Sequence, residues 1–104
     1  MAAVEIVSKN YHKIDFTLED VSKELFVSYG YLCSIFKSIV GISFKEFLID
    51  FRMRKAQELL SARKYKINEI SEMVGYSNAR YFTMAFKKRY GVSPSDYAKA
   101  TGDE

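Results

Sequence analysis

Apolar residues recur at intervals of three and four along nearly the whole chain, and no stretch alternates strictly for long. That period belongs to the helix, so the pattern predicts an all-α protein. A short first helix runs near Val4 to Asn10. Thr17, with Asp20 three residues on, caps a second helix whose apolar stripe is Leu18, Val21 and Leu25. Ser28 opens a third helix, with Leu32, Ile35, Phe36 and Ile39 on its inner face at i, i+3, i+4 and i+7. Gly41 ends that unit. Ser43-Phe44-Lys45-Glu46 reads as a capping box opening a long helix, about Phe44 to Ala62. Its inward positions are Phe44, Phe47, Leu48, Phe51, Ala56, Leu59 and Leu60. A fifth helix covers Ile67 to Val74, and a sixth Asn78 to Tyr90 with Phe82, Ala85 and Phe86 inward. Ser93, with Pro94 at the first helical position and Asp96 at the third, opens a last short helix. Phe36, Phe86, Leu25, Val74, Phe47 and Phe51 are expected in the core.

The chain also resembles itself. Leu18, Val21, Ser22, Leu25 and Ser28 match Ile67, Ile70, Ser71, Val74 and Ser77 at an offset of 49. After a one-residue insertion the offset is 50, and Leu32, Phe36, Lys37, Gly41, Ile42, Ser43 and Phe47 match Phe82, Phe86, Lys87, Gly91, Val92, Ser93 and Tyr97. Each unit is a short helix, a tight turn and a longer helix, the layout of a helix-turn-helix. Gly75 stands just after a helix, where a left-handed backbone suits glycine. The first turn departs from this by placing Phe26 there. A duplicated helical hairpin also serves as plain bundle architecture, and most such hairpins do not bind DNA. The outward positions argue against that reading. Gly30, Cys33, Ser34 and Lys37 in one unit, and Ala79, Arg80, Thr83 and Lys87 in the other, are small, polar or basic. A helix buried on both sides would be apolar there, and neither face carries an acid.

Composition narrows the function without deciding it. The 104 residues are 48% apolar and 28% charged, ordinary for one small globular domain. One Cys excludes an intramolecular disulfide and a Cys-rich zinc module, and one His, His12, excludes a His-pair metal site. No apolar run approaches the ~20 residues of a membrane span. Met1-Ala2-Ala3 leads straight into Val4-Glu5 with no signal peptide visible, so a cytoplasmic location is expected. The net charge of +3 is uneven: residues 1–36 hold three Lys against five acids, and residues 37–104 hold 13 basic residues against eight acids. Arg52, Arg54 and Lys55 form one basic cluster, and Lys87, Lys88 and Arg89 another. Such clusters suit a polyanion-facing surface, and equally a solvated helix face. A nucleophile would need a base held by a third group, and His12 lies far from Cys33 in this layout, so no enzyme and no cofactor are expected.

Three segments resemble the DNA-binding domain of the AraC/XylS family of bacterial transcription regulators. They are Leu18 to Lys37 with the following Gly41 to Phe47, then Arg52 to Leu60, then the long run Ile67 to Tyr97. The match covers roughly residues 4–99. There is a further likeness to members that are response regulators, in which this domain follows a phosphorylatable receiver domain. The resemblance implies seven helices, with two helix-turn-helix subdomains joined by the long helix. The expected division is residues 1–41, 42–62 and 63–100 of a single domain over 1–104. It also implies base-reading residues on the third and sixth helices: Gly30, Tyr31, Cys33 and Ser34, then Ala79, Arg80, Thr83 and Met84. Ser34 and Met84 stand where many members have Arg, so two candidates for reading guanine are missing.

A helix fits the major groove, and two on one chain must enter successive grooves about 34 Å apart. The long helix spans about 28 Å at 1.5 Å per residue, close to that separation. A monomer is therefore expected to contact duplex DNA twice, at an asymmetric site. Arg80 is the leading candidate to fork onto guanine, with a phosphate contact or a free surface Arg as the alternatives. Thr83 and Met84 suit a thymine methyl, although Met84 also suits the edge of a core. Tyr29 and Tyr31 either reach phosphate or pack on the rim. Lys37, Lys45 and Lys87 are candidate phosphate contacts. Ser28, Asn78 and Ser93 sit at helix starts, where capping is expected and free N–H groups favour phosphate. The rival to DNA binding is a helical interaction module, whose acidic first third docks RNA polymerase or the regulator's own N-terminal sensory or receiver domain.

Overall fold

The computed structural model describes residues 2–102; Met1, Asp103 and Glu104, the ends of the expected 1–104 domain, lie outside the described residues. Seven helices cover most of that range: α1 (Ala2–Asn10), α2 (Leu18–Leu25), α3 (Tyr29–Val40), α4 (Phe44–Ala62), α5 (Ile67–Met73), α6 (Ala79–Tyr90) and α7 (Pro94–Gly102). Among the described residues there is no strand, and no helix is long and apolar enough to cross a membrane.

Short polar side chains start the helices, because the first N–H groups of a helix have no partner within it. Thr17 caps α2 with a complete capping box, its N–H donating to Asp20 Oδ2 at 2.9 Å. Ser28 Oγ accepts from the Tyr31 N–H at 3.2 Å, and Asn78 Oδ1 accepts from the Tyr81 N–H at 2.9 Å. Ser43 and Ser93 do the same for Glu46 at 3.2 Å and Asp96 at 3.1 Å. At α5 the arm comes from the other side, with the Lys66 N–H donating to Glu69 Oε1 at 2.9 Å.

Two hydrophobic cores form. Ile6, Val7, Phe16, Leu18, Val21, Leu32, Phe36, Phe44 and Leu48 make the first; Met53, Ala56, Leu60, Ile70, Val74, Phe82 and Phe86 make the second. The 19-residue α4 feeds both, and the molecule measures 46 × 22 × 22 Å along its principal axes. Leu25, Phe47 and Phe51 are half-buried and pack against the first core, while Phe36, Phe86 and Val74 are fully buried.

Some expectations need correction. Ile39 is 63% exposed and faces solvent, not the core. Its counterpart at an offset of 50 is Arg89, a polar residue that marks the same position as outward. Met53, absent from the expected inward set of α4, is fully buried. Val74 is the residue that ends α5 rather than its last helical one. The larger correction concerns Arg52. It is only 9% exposed, so it does not belong to a surface basic cluster. Phe44, Leu48, Arg52, Ala56 and Leu60 are all buried at a spacing of four, a stripe that includes the arginine.

Candidate nucleic-acid interface

The repeat in sequence is a repeat in backbone geometry. In the first turn, the Phe26 N–H donates to the Lys23 carbonyl and the Val27 N–H to the Ser22 carbonyl. In the second, Gly75 donates to Glu72 and Tyr76 to Ser71. The pairs correspond at the same offset of 49. Phe26 (φ 58°) and Gly75 (φ +88°) are both left-handed. The aromatic departure in the first turn therefore leaves its path unchanged. Phe26 is 94% exposed, so its side chain meets nothing that would oppose it. Ser22 and Ser71, matched in the repeat, are both buried, and each returns its hydroxyl to a carbonyl three residues back at 2.7 Å. Neither is left unsatisfied, and a small side chain there suits close helix packing.

These turns set α3 and α6 with equivalent faces outward. On α3, Tyr29, Gly30, Tyr31, Ser34 and Lys37 are exposed and Cys33 is half-buried. On α6, Arg80, Met84 and Lys87 are exposed, while Ala79 and Thr83 are half-buried. Ser28 and Asn78, at the two helix starts, are also exposed. The expected site residues thus fall into two groups, one per unit, each on a single helix face. Met84 is 60% exposed, so most of its side chain is open to solvent. Neither α3 nor α6 contains an acidic residue.

The two faces differ in relief. Gly30 sits in the exposed first turn of α3, and a Cβ added there would meet nothing within 4 Å. Its repeat counterpart is Arg80, so one unit presents bare backbone where the other presents a long cation. Tyr29, Cys33 and Lys37 line a cavity of about 460 Å³ with Phe16, Thr17, Leu18 and the start of α4, Ser43, Phe44, Lys45 and Leu48. Lys37 and Lys45 bring cations to it from two helices. The neighbouring Cys33 thiol pushes the Tyr29 phenol above its ordinary value.

The basic clusters do not act as blocks. Asp50 pairs with Arg54 at 2.9 Å and also with Arg89, and Lys55 pairs with Glu58 at 3.5 Å. Such exposed pairs add little stability, about 0–1 kcal/mol each, but they cancel local charge. Lys37, Lys45, Arg80 and Lys87 are exposed and have no ion pair among the described residues. Unpaired positive charge therefore lies on or beside the outward faces of α3 and α6.

Sequence reasoning missed the residues that join the two units. Arg52 donates from Nε to the Tyr11 carbonyl at 2.9 Å and from Nη2 to the Lys13 carbonyl at 2.8 Å. Its guanidinium carbon lies 5.9 Å from the centre of the Tyr76 ring. Burial pushes the guanidinium below its ordinary value and the Tyr76 phenol above its own; in each case the nearby partner opposes the shift. The spacing-of-four stripe on α4 could have flagged the burial, but nothing in the sequence names the partners.

A family model described as a helix-turn-helix domain matches residues 21–100. The Msm operon regulatory protein of Streptococcus mutans is 40% identical over 82 residues, 79% of this chain and 30% of that protein. The chain spans about a third of the length of most of the first curated relatives that it matches. The C-terminal domain of AraT, a response regulator from Geobacillus stearothermophilus, superposes with a TM-score of 0.91 at 43% identity, covering 95% of this chain and 82% of that one. The DNA-binding domain of AdpA, a global transcriptional factor solved in complex with a target DNA, shares the fold at a TM-score of 0.87 and 24% identity, covering 95% and 88%.

Proposed function

Because the chain belongs to the AraC-type helix-turn-helix family of DNA-binding transcription regulators, we propose that α3 and α6 enter successive major grooves of one duplex. The observation that carries this reading is the pair of equivalent, acid-free outward faces, each on a helix started by a short polar cap. Two separate cores joined through α4 support a division into reading units at residues 1–41 and 63–100, with 42–62 between them. In the second unit Arg80 forks onto guanine while Thr83 and Met84 contact apolar base edges. In the first, Gly30, Cys33 and Ser34 admit close approach of the DNA, with Tyr31 at the margin. Tyr29 is turned toward Cys33 and packs on the rim. Lys37, Lys45 and Lys87, with the helix starts at Ser28, Asn78 and Ser93, hold phosphates without reading sequence. In a longer protein, a sensory or receiver domain and RNA polymerase are the proposed partners.

The test is selection of bound duplexes from a random pool at about 100–150 mM salt, a range in which weak phosphate-only binding is suppressed. Two different blocks centred about ten base pairs apart are expected. Enrichment of a single block would leave only one unit reading bases. No enrichment from folded protein, with a salt slope near zero, would favour the interaction-module reading instead, since each neutralised phosphate contributes about −0.9 to the log–log slope.

Two substitutions separate reading from holding. Arg80→Ala should erase preference at one or two base pairs, a loss of about 1–3 kcal/mol in discrimination, with non-specific affinity largely kept. Uniform weakening on every duplex would make Arg80 a phosphate clamp. Gly30→Ala should stabilise the free domain by about 0.5–1 kcal/mol, since helical glycine is unfavourable and the added methyl meets no protein atom. It should also weaken DNA binding roughly three- to tenfold, by about 1 kcal/mol. A variant that is more stable and binds equally well would show that DNA does not approach the backbone there.

A further inference from the structure

The joint at Arg52 has no function within either core. Both cores are filled by apolar side chains, and a buried guanidinium must replace the water it loses. It does so with two carbonyls from the segment after α1, Tyr11 and Lys13, 41 and 39 residues away. Beside the same group are Tyr76 and Gly75, from the turn of the second unit. A Cβ at Gly75 would lie 2.4 Å from the Tyr11 carbonyl oxygen and 2.9 Å from Arg52 Nε. The Tyr11 side chain packs against both cores, with its ring centre 5.2 Å from that of Phe51. First-unit backbone, the middle of α4 and the second-unit turn therefore meet at one point beside α4. Without this joint, the relation of α3 to α6 would rest on how each unit packs on α4. With it, the units are also tied to each other.

We propose that Arg52 is a positioning residue that fixes the separation and angle of α3 and α6, and so sets the half-site spacing the domain accepts. A buried polar contact that selects one geometry rather than adding net stability is a known use of such groups. Arginine suits the position because its planar fork reaches two carbonyls at once, which an ammonium group does not do in a fixed geometry. The inference rests on the two-groove reading above. Loosening the joint lowers the effective concentration of one unit at its half-site while the other is bound, and spreads it over more spacings.

The experiment measures affinity of the whole chain for duplexes carrying the two selected blocks at centre-to-centre spacings of about 8–13 base pairs. Single-block duplexes and thermal unfolding are measured alongside. The unchanged protein should show a sharp optimum. Arg52→Met should lose about tenfold at that optimum and flatten the profile, with single-block affinity unchanged. Arg52→Lys, which keeps the charge and one donor, should stay folded and fall between them. A folded Arg52→Met with the original sharp profile would overturn the proposal. If Arg52→Met does not fold, an unaltered profile in Arg52→Lys would overturn it equally. A flat profile in the unchanged protein would instead remove the two-groove reading itself.

Discussion

Phe86→Ala is expected to destabilise the second half of the domain severely, and to cost DNA binding at temperatures where that half unfolds, without altering any contact to DNA. Phe86 is fully buried, and its ring centre lies 4.7 Å from Tyr90, 5.5 Å from Tyr97 and 5.9 Å from Phe82. Removing a buried Phe ring costs about 3–5 kcal/mol, through lost transfer energy and the cavity left behind. A domain of this size has a total stability of about 5–15 kcal/mol, so the loss is a large share of the whole. Thermal unfolding should fall by at least about 12 °C, since each kcal/mol moves the midpoint by about 4–8 °C in a domain of 60–100 residues. Binding should recover when the variant is cooled into its folded range, which a lost DNA contact would not do. A loss below about 1 kcal/mol would mean that the second core does not close around this ring.

Gly75→Ala should have the next largest effect, and for two separate reasons. Its φ of +88° places an alanine in the left-handed region, at roughly 1–2 kcal/mol. The new Cβ would also lie 2.4 Å from the Tyr11 carbonyl oxygen, so backbone must move. That carbonyl accepts from Arg52, and moving it leaves a buried charged donor poorly partnered, at about 1–3 kcal/mol more. The expected total is about 2–5 kcal/mol. Gly41 (φ +93°) and Gly91 (φ +79°) have equally left-handed backbones, but an added Cβ meets nothing within 4 Å at either. Alanine there should cost only the roughly 1–2 kcal/mol of the left-handed conformation. Denaturant titration of the three variants decides the matter. If Gly75→Ala is no worse than Gly91→Ala, the turn yields freely and the joint is not tight.

Much of this architecture was legible in the chain. Helix starts followed from Thr17, Ser28, Ser43, Asn78 and Ser93, because capping is a contact across three residues. The repeat disclosed which helix faces are equivalent, and Arg89 already signalled that Ile39 faces outward. Gly75 was legible as a left-handed position but not as a point of close approach. The basic clusters misled, because charge in sequence says nothing of pairing. Asp50 neutralises Arg54 within one turn of α4, a spacing that sequence displays, and Arg89 from 39 residues away, which it does not.

Local physics thus determined the helices, their caps, the two turns and the outward faces of α3 and α6. Each depends on residues within a few positions, or on a period the chain repeats. Tertiary structure alone decided how the two units are joined. Arg52 is held by the carbonyls of Tyr11 and Lys13, and Gly75 is crowded by the first of them. Every residue carries the same carbonyl, so no side-chain pattern can show which ones a distant arginine will find. Only the folded path of the chain brings them within reach.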